Sequence, residues 1–285
     1  MLIENPLLLL LSAALIGLVV GSFLNVVIYR LPLMLQSRWN IDCHEHLGLT
    51  NQNADATISL SLPPSHCPQC KARVKAWQNI PVISYLLLRG KCSSCGTKIS
   101  IRYPLVELLS GLLTAAVIWH FGLTVAGISA TLLIWSLIAL TFIDLDHQLL
   151  PDSITLPVMW LGLLLNTGSV FTDPVSAIYG AAFGYLSLWL IFQLFRLLTG
   201  KEGMGFGDFK LLALFGAWFG WQLLPQIVVI ASVSGALLGI GMIALRKHER
   251  EIPIPFGPYL AIAGIIALFW GESINNWYLQ LSGIT

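Results

Sequence analysis

Long apolar runs separated by short polar turns set the pattern of this chain. Eight runs qualify as candidate membrane-crossing helices: Pro6–Tyr29, Tyr103–Phe121, Val125–Ile143, Ile154–Asn166, Pro174–Leu198, Leu211–Leu224, Pro225–Leu245 and Phe256–Trp270. A helix needs about 20 mainly apolar residues to cross a bilayer core. The fourth and sixth runs are short by that measure, and the boundary between the sixth and seventh rests on Pro225 alone. The first run reads as a retained helix rather than a cleaved signal, because Glu4 stands where a basic n-region would and no small-x-small site ends the run. The predicted fold is therefore an all-α multi-pass integral membrane protein of about eight transmembrane helices.

Composition supports the same solvent. Of 285 residues, 56% are hydrophobic and 10% are charged, against about 25% charged in a soluble domain. So few charges cannot cover a water-facing surface, and a lipid bilayer must surround most of the chain. The 15 basic and 14 acidic residues nearly cancel, so their placement carries more information than their sum. With the N-terminus outside, the segments 30–102, 144–153, 199–210 and 246–255 fall on the cytoplasmic side, and every lysine and arginine lies in or at the edge of one of them. Basic residues mark cytoplasmic loops, which predicts both termini outside. The chain then divides into a first transmembrane helix (1–29), a cytoplasmic loop (30–102) and a seven-helix membrane domain (103–285).

The loop holds the first candidate chemistry. Cys67 and Cys70 form one C-x2-C pair, and Cys92 and Cys95 form a second. Each pair can take one edge of a tetrahedron, so together they suit a zinc site with four cysteine ligands, a small zinc-knuckle insert in the cytoplasmic loop. Thiols stay reduced in the cytoplasm, which makes disulfides the poorer reading. Four protein ligands leave no open position for a substrate water, so the metal's role would be structural. The stretch 36–65 is polar and turn-rich and reads as flexible, and Cys43, His44 and His46 within it read as a solvated loop.

The second candidate chemistry is carboxylate. Asp144 closes the third run in "TFIDLDHQLLPD", and Asp208 opens the sixth in "GKEGMGFGDFK". Both fall on the same side of the membrane by the charge argument, and both come from separate hairpins. Ionisable groups at a membrane edge are costly unless they line a wet cavity, so each is a functional candidate. Two carboxylates sharing one proton can perform aspartic proteolysis: the ionised one takes a proton from water while the neutral one donates to the scissile carbonyl. Gly203, Gly205 and Gly207 leave room for a backbone or a substrate beside Asp208. Asp152, after Pro151 and before a helix, reads as an N-cap. A proton-coupled carrier also uses intramembrane aspartates, but carriers bind near the midplane in two related halves, and no internal repeat is visible here.

Four segments resemble the type IV prepilin peptidases, leader peptidase/N-methyltransferases of the GxGD aspartic protease group: "GSFLNVVIYRLP" (21–32), "CPQC" with "NIPVISYLLLRGKCSSCGTKISIRYPLVELLSG" (67–111), "FIDLDHQLLPD" (142–152) and "GMGFGDFKLLALFGAW" (203–218). The resemblance implies that Asp144 and Asp208 are the catalytic pair, supported by Gly205, Gly207 and Lys210. It implies that Cys67, Cys70, Cys92 and Cys95 are the tetrad. The family cuts a short basic leader from prepilins and pseudopilins after a glycine, at the cytoplasmic face of the inner membrane. It then methylates the new N-terminal residue with S-adenosylmethionine. Nucleic acid is not among the implied partners. No G-x-G nucleotide loop follows a strand, so a cofactor site of Rossmann type is not expected. By resemblance the cysteine loop and the first helix's polar stripe (Gly21, Asn25, Tyr29) are candidates for methyl transfer, and helix packing is the plainer reading of that stripe. The alternatives are a GxGD peptidase with another substrate and no methylation, or a non-enzymatic zinc-ribbon scaffold or carrier.

Overall fold

A computed structural model of the chain describes residues 5–48, 58–244 and 255–283. Among the described residues the structure is helical, with no β-strands beyond two isolated bridges. The helices are α1 (Pro6–His46), α2 (Ile83–Leu87), α3 (Arg102–Phe121), α4 (Val125–His147), α5 (Asp152–Asn166), α6 (Pro174–Thr199), α7 (Phe206–Phe219), α8 (Leu224–Ala244) and α9 (Gly257–Ser282). Each predicted apolar run has its helix. Six stretches of helix are long and apolar enough to cross a membrane, and the chain is a multi-pass membrane protein. The two short runs stay short: α5 has 15 residues and α7 has 14, about 21 Å of rise for the latter.

Several boundaries differ from the sequence reading: α7 runs Phe206–Phe219 rather than Leu211–Leu224, and three other helices run longer than predicted. The first helix does not stop near Tyr29 but continues through Pro32 to His46. Residues 36–46 are therefore helical, not a flexible loop, and Cys43, His44 and His46 sit on exposed final turns of α1. The apolar count could not see this, because the helix carries on after its sequence turns polar. Likewise α9 extends to Ser282, well past Trp270. The helix α4 reaches His147, which places Asp144 in its last turns rather than beyond its end. Residues 49–57 and the basic segment with Arg246, Lys247 and Arg250 lie outside the described residues.

The chain forms two compact units, Met1–Ala139 and Leu140–Thr285. In the first, α1 packs along α3 at close range. A side chain at Gly17 would meet the Ser110 carbonyl at 2.7 Å, and one at Gly21 would meet the Glu107 Cα at 2.7 Å. Asn25 completes the seam by donating to the carbonyls of Gly21 and Tyr103, at 3.3 and 3.1 Å. Gly21 and Asn25 thus serve helix packing, while Tyr29 remains largely exposed. The Trp135 indole donates to Thr114 Oγ1 at 3.0 Å and ties α4 to α3. Arg30, buried in α1, donates to the carbonyls of Ser59, Leu60 and Pro63, which holds that end of the polar insert against the helix.

In the second unit α7 is the central rod. Phe209, Leu211, Leu212, Leu214, Phe215, Ala217 and Trp218 are each 0% exposed. A helix that is apolar all round belongs inside its neighbours, and α5, α6 and α9 supply them. Contact with α6 is backbone to backbone where Gly180 faces Gly216, a close approach that only small residues allow. The far end is latched by Asn166, which is buried and fully satisfied. It donates to the carbonyls of Ala217 and Trp218 at 2.9 Å each and accepts from the amides of Phe171 and Thr172. The outer faces of α6 and α8 expose Ile178, Phe183, Leu186, Leu190, Val229, Val233 and Leu237, the apolar exterior that lipid contact requires.

Candidate active site and metal centre

Asp144 and Asp208 both lie in the second unit, and both are buried, at 5% and 7% exposure. Asp208 occupies the first turn of α7, where free amides and the helix dipole favour negative charge. As the third residue of α7, it reaches back to the backbone of Gly205, the residue that caps the helix. Asp144 is held from a third direction. The Gly257 amide at the start of α9 donates to Asp144 Oδ2 at 3.0 Å, and an added Cβ on Gly257 would stand 2.5 Å from that oxygen.

One side chain ties these pieces together. Leu150, from the turn between α4 and α5, would be 2.8 Å from a Cβ on Gly207 and 3.3 Å from one on Gly257. It therefore fills the space between the residue that precedes Asp208 and the residue that grips Asp144. The two carboxylates are near enough to feel each other's charge. Between them the arrangement offers two buried carboxyl groups, one from the last turns of α4 and one from the first turn of α7, which is what general acid–base hydrolysis needs.

The three glycines of the loop differ in use. Gly203 makes room for the Phe195 ring at 2.8 Å and Gly207 for Leu150. Gly205 alone faces open space, with Asp208 Oδ2 as the nearest atom at 3.8 Å. The clearance expected of all three is thus delivered beside the carboxylate by one. Asp152 is not the N-cap it was expected to be. Pro151 holds the cap position, and Asp152 is the first residue of α5, with both carboxylate oxygens 2.7 Å from Lys210 Nζ. The cation is two residues beyond Asp208, so the pair ties the α4–α5 turn to the first turn of α7. Sequence reading missed this partner because a capping role explained Asp152 locally. It also missed Gly257, although the "PFGP" turn (255–258) was a visible signal.

The candidate metal centre lies in the first unit. The Sγ atoms of Cys67, Cys70, Cys92 and Cys95 all lie within 4.8 Å of one another, and Cys67 and Cys95 are 3.8 Å apart. A tetrahedral zinc with bonds of about 2.3 Å has sulfur edges of roughly 3.8 Å, so the cluster fits a zinc ion. Two matching knuckles present the thiols. In the first, the Cys67 amide donates to the Ala72 carbonyl and Lys71 turns at φ +59°; in the second, the Cys92 amide donates to Thr97 and Gly96 turns at φ +73°. Isolated bridges His66–Arg73 and Lys91–Lys98 close them. The Cys95 sulfur lies 3.2 Å from Thr97 Oγ1, whose hydroxyl donates to Gln69 Oε1 at 2.6 Å.

Comparison with known proteins finds relatives for both halves of the chain. Residues 15–121 match the bacterial peptidase A24 N-terminal domain, and residues 131–240 match the type IV leader peptidase family. Proteins named prepilin leader peptidase/N-methyltransferase are similar over nearly the full length. Those of Stutzerimonas stutzeri and Pseudomonas aeruginosa are each 54% identical, covering 98% of this chain and 96% and 97% of the relative. That of Legionella pneumophila is 50% identical, covering 98% of this chain and 97% of the relative. No solved structure matches the chain.

Proposed function

The chain belongs to the type IV leader peptidase family, and from that premise we propose that it removes the leaders of prepilins or pseudopilins and N-methylates the trimmed products. The observation that carries the cleavage reading is the burial of Asp144 and Asp208 in one unit, drawn from separate hairpins and wedged together by Leu150. Asp144 and Asp208 share one proton. The ionised member takes a proton from the attacking water, and the neutral member gives one to the peptide carbonyl oxygen. The Gly257 amide fixes the orientation of Asp144. Lys210 acts as a positioning residue through Asp152. Gly205 leaves the space through which the substrate backbone reaches Asp208, and a glycine before the scissile bond suits so narrow an approach.

The site faces the cytoplasm in the inner membrane, with both termini outside. All lysines and arginines fall in or beside the segments that this orientation places inside. A prepilin, itself an apolar helix with a basic leader, would reach the site by lateral diffusion in the bilayer. The cysteine cluster holds a structural zinc. S-adenosylmethionine is the methyl donor, supplying a methyl group on a cationic sulfur. The first unit, which lacks the aspartate pair and carries the knuckles, hosts that second reaction.

Incubating the purified protein with a prepilin and S-adenosylmethionine tests the reading by product mass. Loss of the leader together with gain of one methyl group is expected. An intact precursor would refute the peptidase, and a trimmed but unmethylated product would leave a peptidase alone.

A further inference from the structure

The first unit contains a cavity of about 540 Å³ between α1, the start of α3 and the two knuckles. Ligand sites in proteins commonly fall between about 300 and 1,000 Å³, so a nucleoside-sized molecule fits. Its lining is chemically divided. Glu107, on α3, is the only carboxylate that lines it among the described residues; its cations are Lys71, Arg73 and Lys98 from the knuckles and Arg30 from α1, which is spent on the carbonyls of Ser59, Leu60 and Pro63. Tyr29, Tyr85 and Tyr103 contribute aromatic wall.

Glu107 is 8% exposed, and a buried carboxylate is retained only where its charge is answered. Two neutral groups answer part of it. The Val82 amide donates to Glu107 Oε2 at 2.8 Å, and the Ser22 hydroxyl also bonds the carboxylate. To aim that amide, Val82 takes φ +59°, a region that β-branched residues rarely enter. Strained backbone of this kind persists where the surroundings demand it, and it clusters at ligand sites. The result is a fixed, oriented carboxylate with a cavity in front of it.

Building on the methyltransferase reading above, we infer that this cavity is the S-adenosylmethionine site, with Glu107 facing the sulfonium and Lys71, Arg73 and Lys98 receiving the amino-acid carboxylate. The ligand's groups match the lining: a sulfonium for the carboxylate, an α-carboxylate beside the α-ammonium for the knuckle cations, and an aromatic base that can lie against tyrosine. The same position lets Glu107 discriminate against the demethylated product, S-adenosylhomocysteine, whose sulfur is neutral. Product release then follows from loss of one charge, with no movement of the protein required.

The test is equilibrium dialysis of the full-length, zinc-loaded protein with labelled S-adenosylmethionine, repeated with S-adenosylhomocysteine. Glu107→Gln should weaken S-adenosylmethionine about tenfold or more, the scale of a lost charge-assisted contact, and change S-adenosylhomocysteine by less than about threefold. Equal loss for both ligands, or no loss for either, would overturn the assignment. Zinc content and melting temperature report whether the variant has folded. If it has not, ultraviolet cross-linking of S-adenosylmethionine to the wild-type protein decides instead. Label on peptides spanning 22–30, 65–79 or 84–107 supports the cavity, and label anywhere else overturns it. A wild-type protein that binds no S-adenosylmethionine and yields no methylated product would sink the methyltransferase reading itself. Binding with the label elsewhere would sink only this placement.

Discussion

The metal centre and the aspartate pair are built by different means. In the knuckles the outermost ligands are 28 positions apart, each C-x2-C turn is closed by its own backbone bonds, and the thiols are largely at the surface. At the aspartates, Gly257 reaches Asp144 from 113 positions away and Lys210 reaches Asp152 from 58. The carboxylates are buried among helices that pack through α7. A local metal turn depends on its ligands, whereas a site assembled from helices depends on what separates them. Substitutions of the cysteines should therefore act all-or-none, and substitutions around the aspartates by degree, apart from the two acids themselves.

The acids give the largest expected effect. Asp144→Asn and Asp208→Asn should each reduce leader cleavage about 10³-fold, within the range of lost acid–base catalysis, while the melting temperature stays near wild type. Near-normal cleavage by either variant would remove that aspartate from the site. Next comes the metal. Cys67→Ser with Cys92→Ser should abolish zinc binding, since a structural zinc supplies about 10–16 kcal/mol to a small metal fold. Methylation should fail in that variant while cleavage survives; a matched loss of both would mean the units do not work separately. Metal analysis and product masses on one sample decide it.

Gly257→Ala sharpens the contrast, because it replaces no acid and yet intrudes on Asp144. A misplacement of this kind can cost about 10²-fold, so kcat for cleavage should fall by roughly 10- to 100-fold with expression unchanged. The Asp152–Lys210 pair ranks lower. An exposed pair is worth at most about 1 kcal/mol, so Asp152→Ala or Lys210→Ala should lower kcat about fivefold and leave KM alone. The swapped Asp152→Lys, Lys210→Asp protein should recover most of that loss, and no recovery would show that Lys210 does not act through Asp152. The smallest effect belongs to Gly96→Ala. Nothing stands near an added Cβ there, so only the positive φ opposes it, at about 1 kcal/mol, read as slightly earlier zinc release to a chelator.

Much of this arrangement was legible beforehand, for definite reasons. Apolar runs report helices in lipid because every backbone group must bond within its own segment. The C-x2-C spacing reports a metal turn because the turn is local. The polar continuation of α1 to His46 was not legible, because the spans were located by their apolar composition. Asp152 misled because capping is the commonest use of an aspartate before a helix, while its true partner lies on α7.

The chain's own order of residues determined the solvent, the presence of a helix at each apolar run, the cysteine cluster and the two acids worth testing, since all of these follow from composition or short spacing. Packing alone decided that Leu150 fills the gap beside Gly207 and Gly257, that only Gly205 opens onto Asp208, and that Glu107 looks into a cavity. Those facts depend on which helix faces lie together. That choice minimises buried voids and unmet hydrogen bonds over a whole unit at once, and no short stretch of sequence records it.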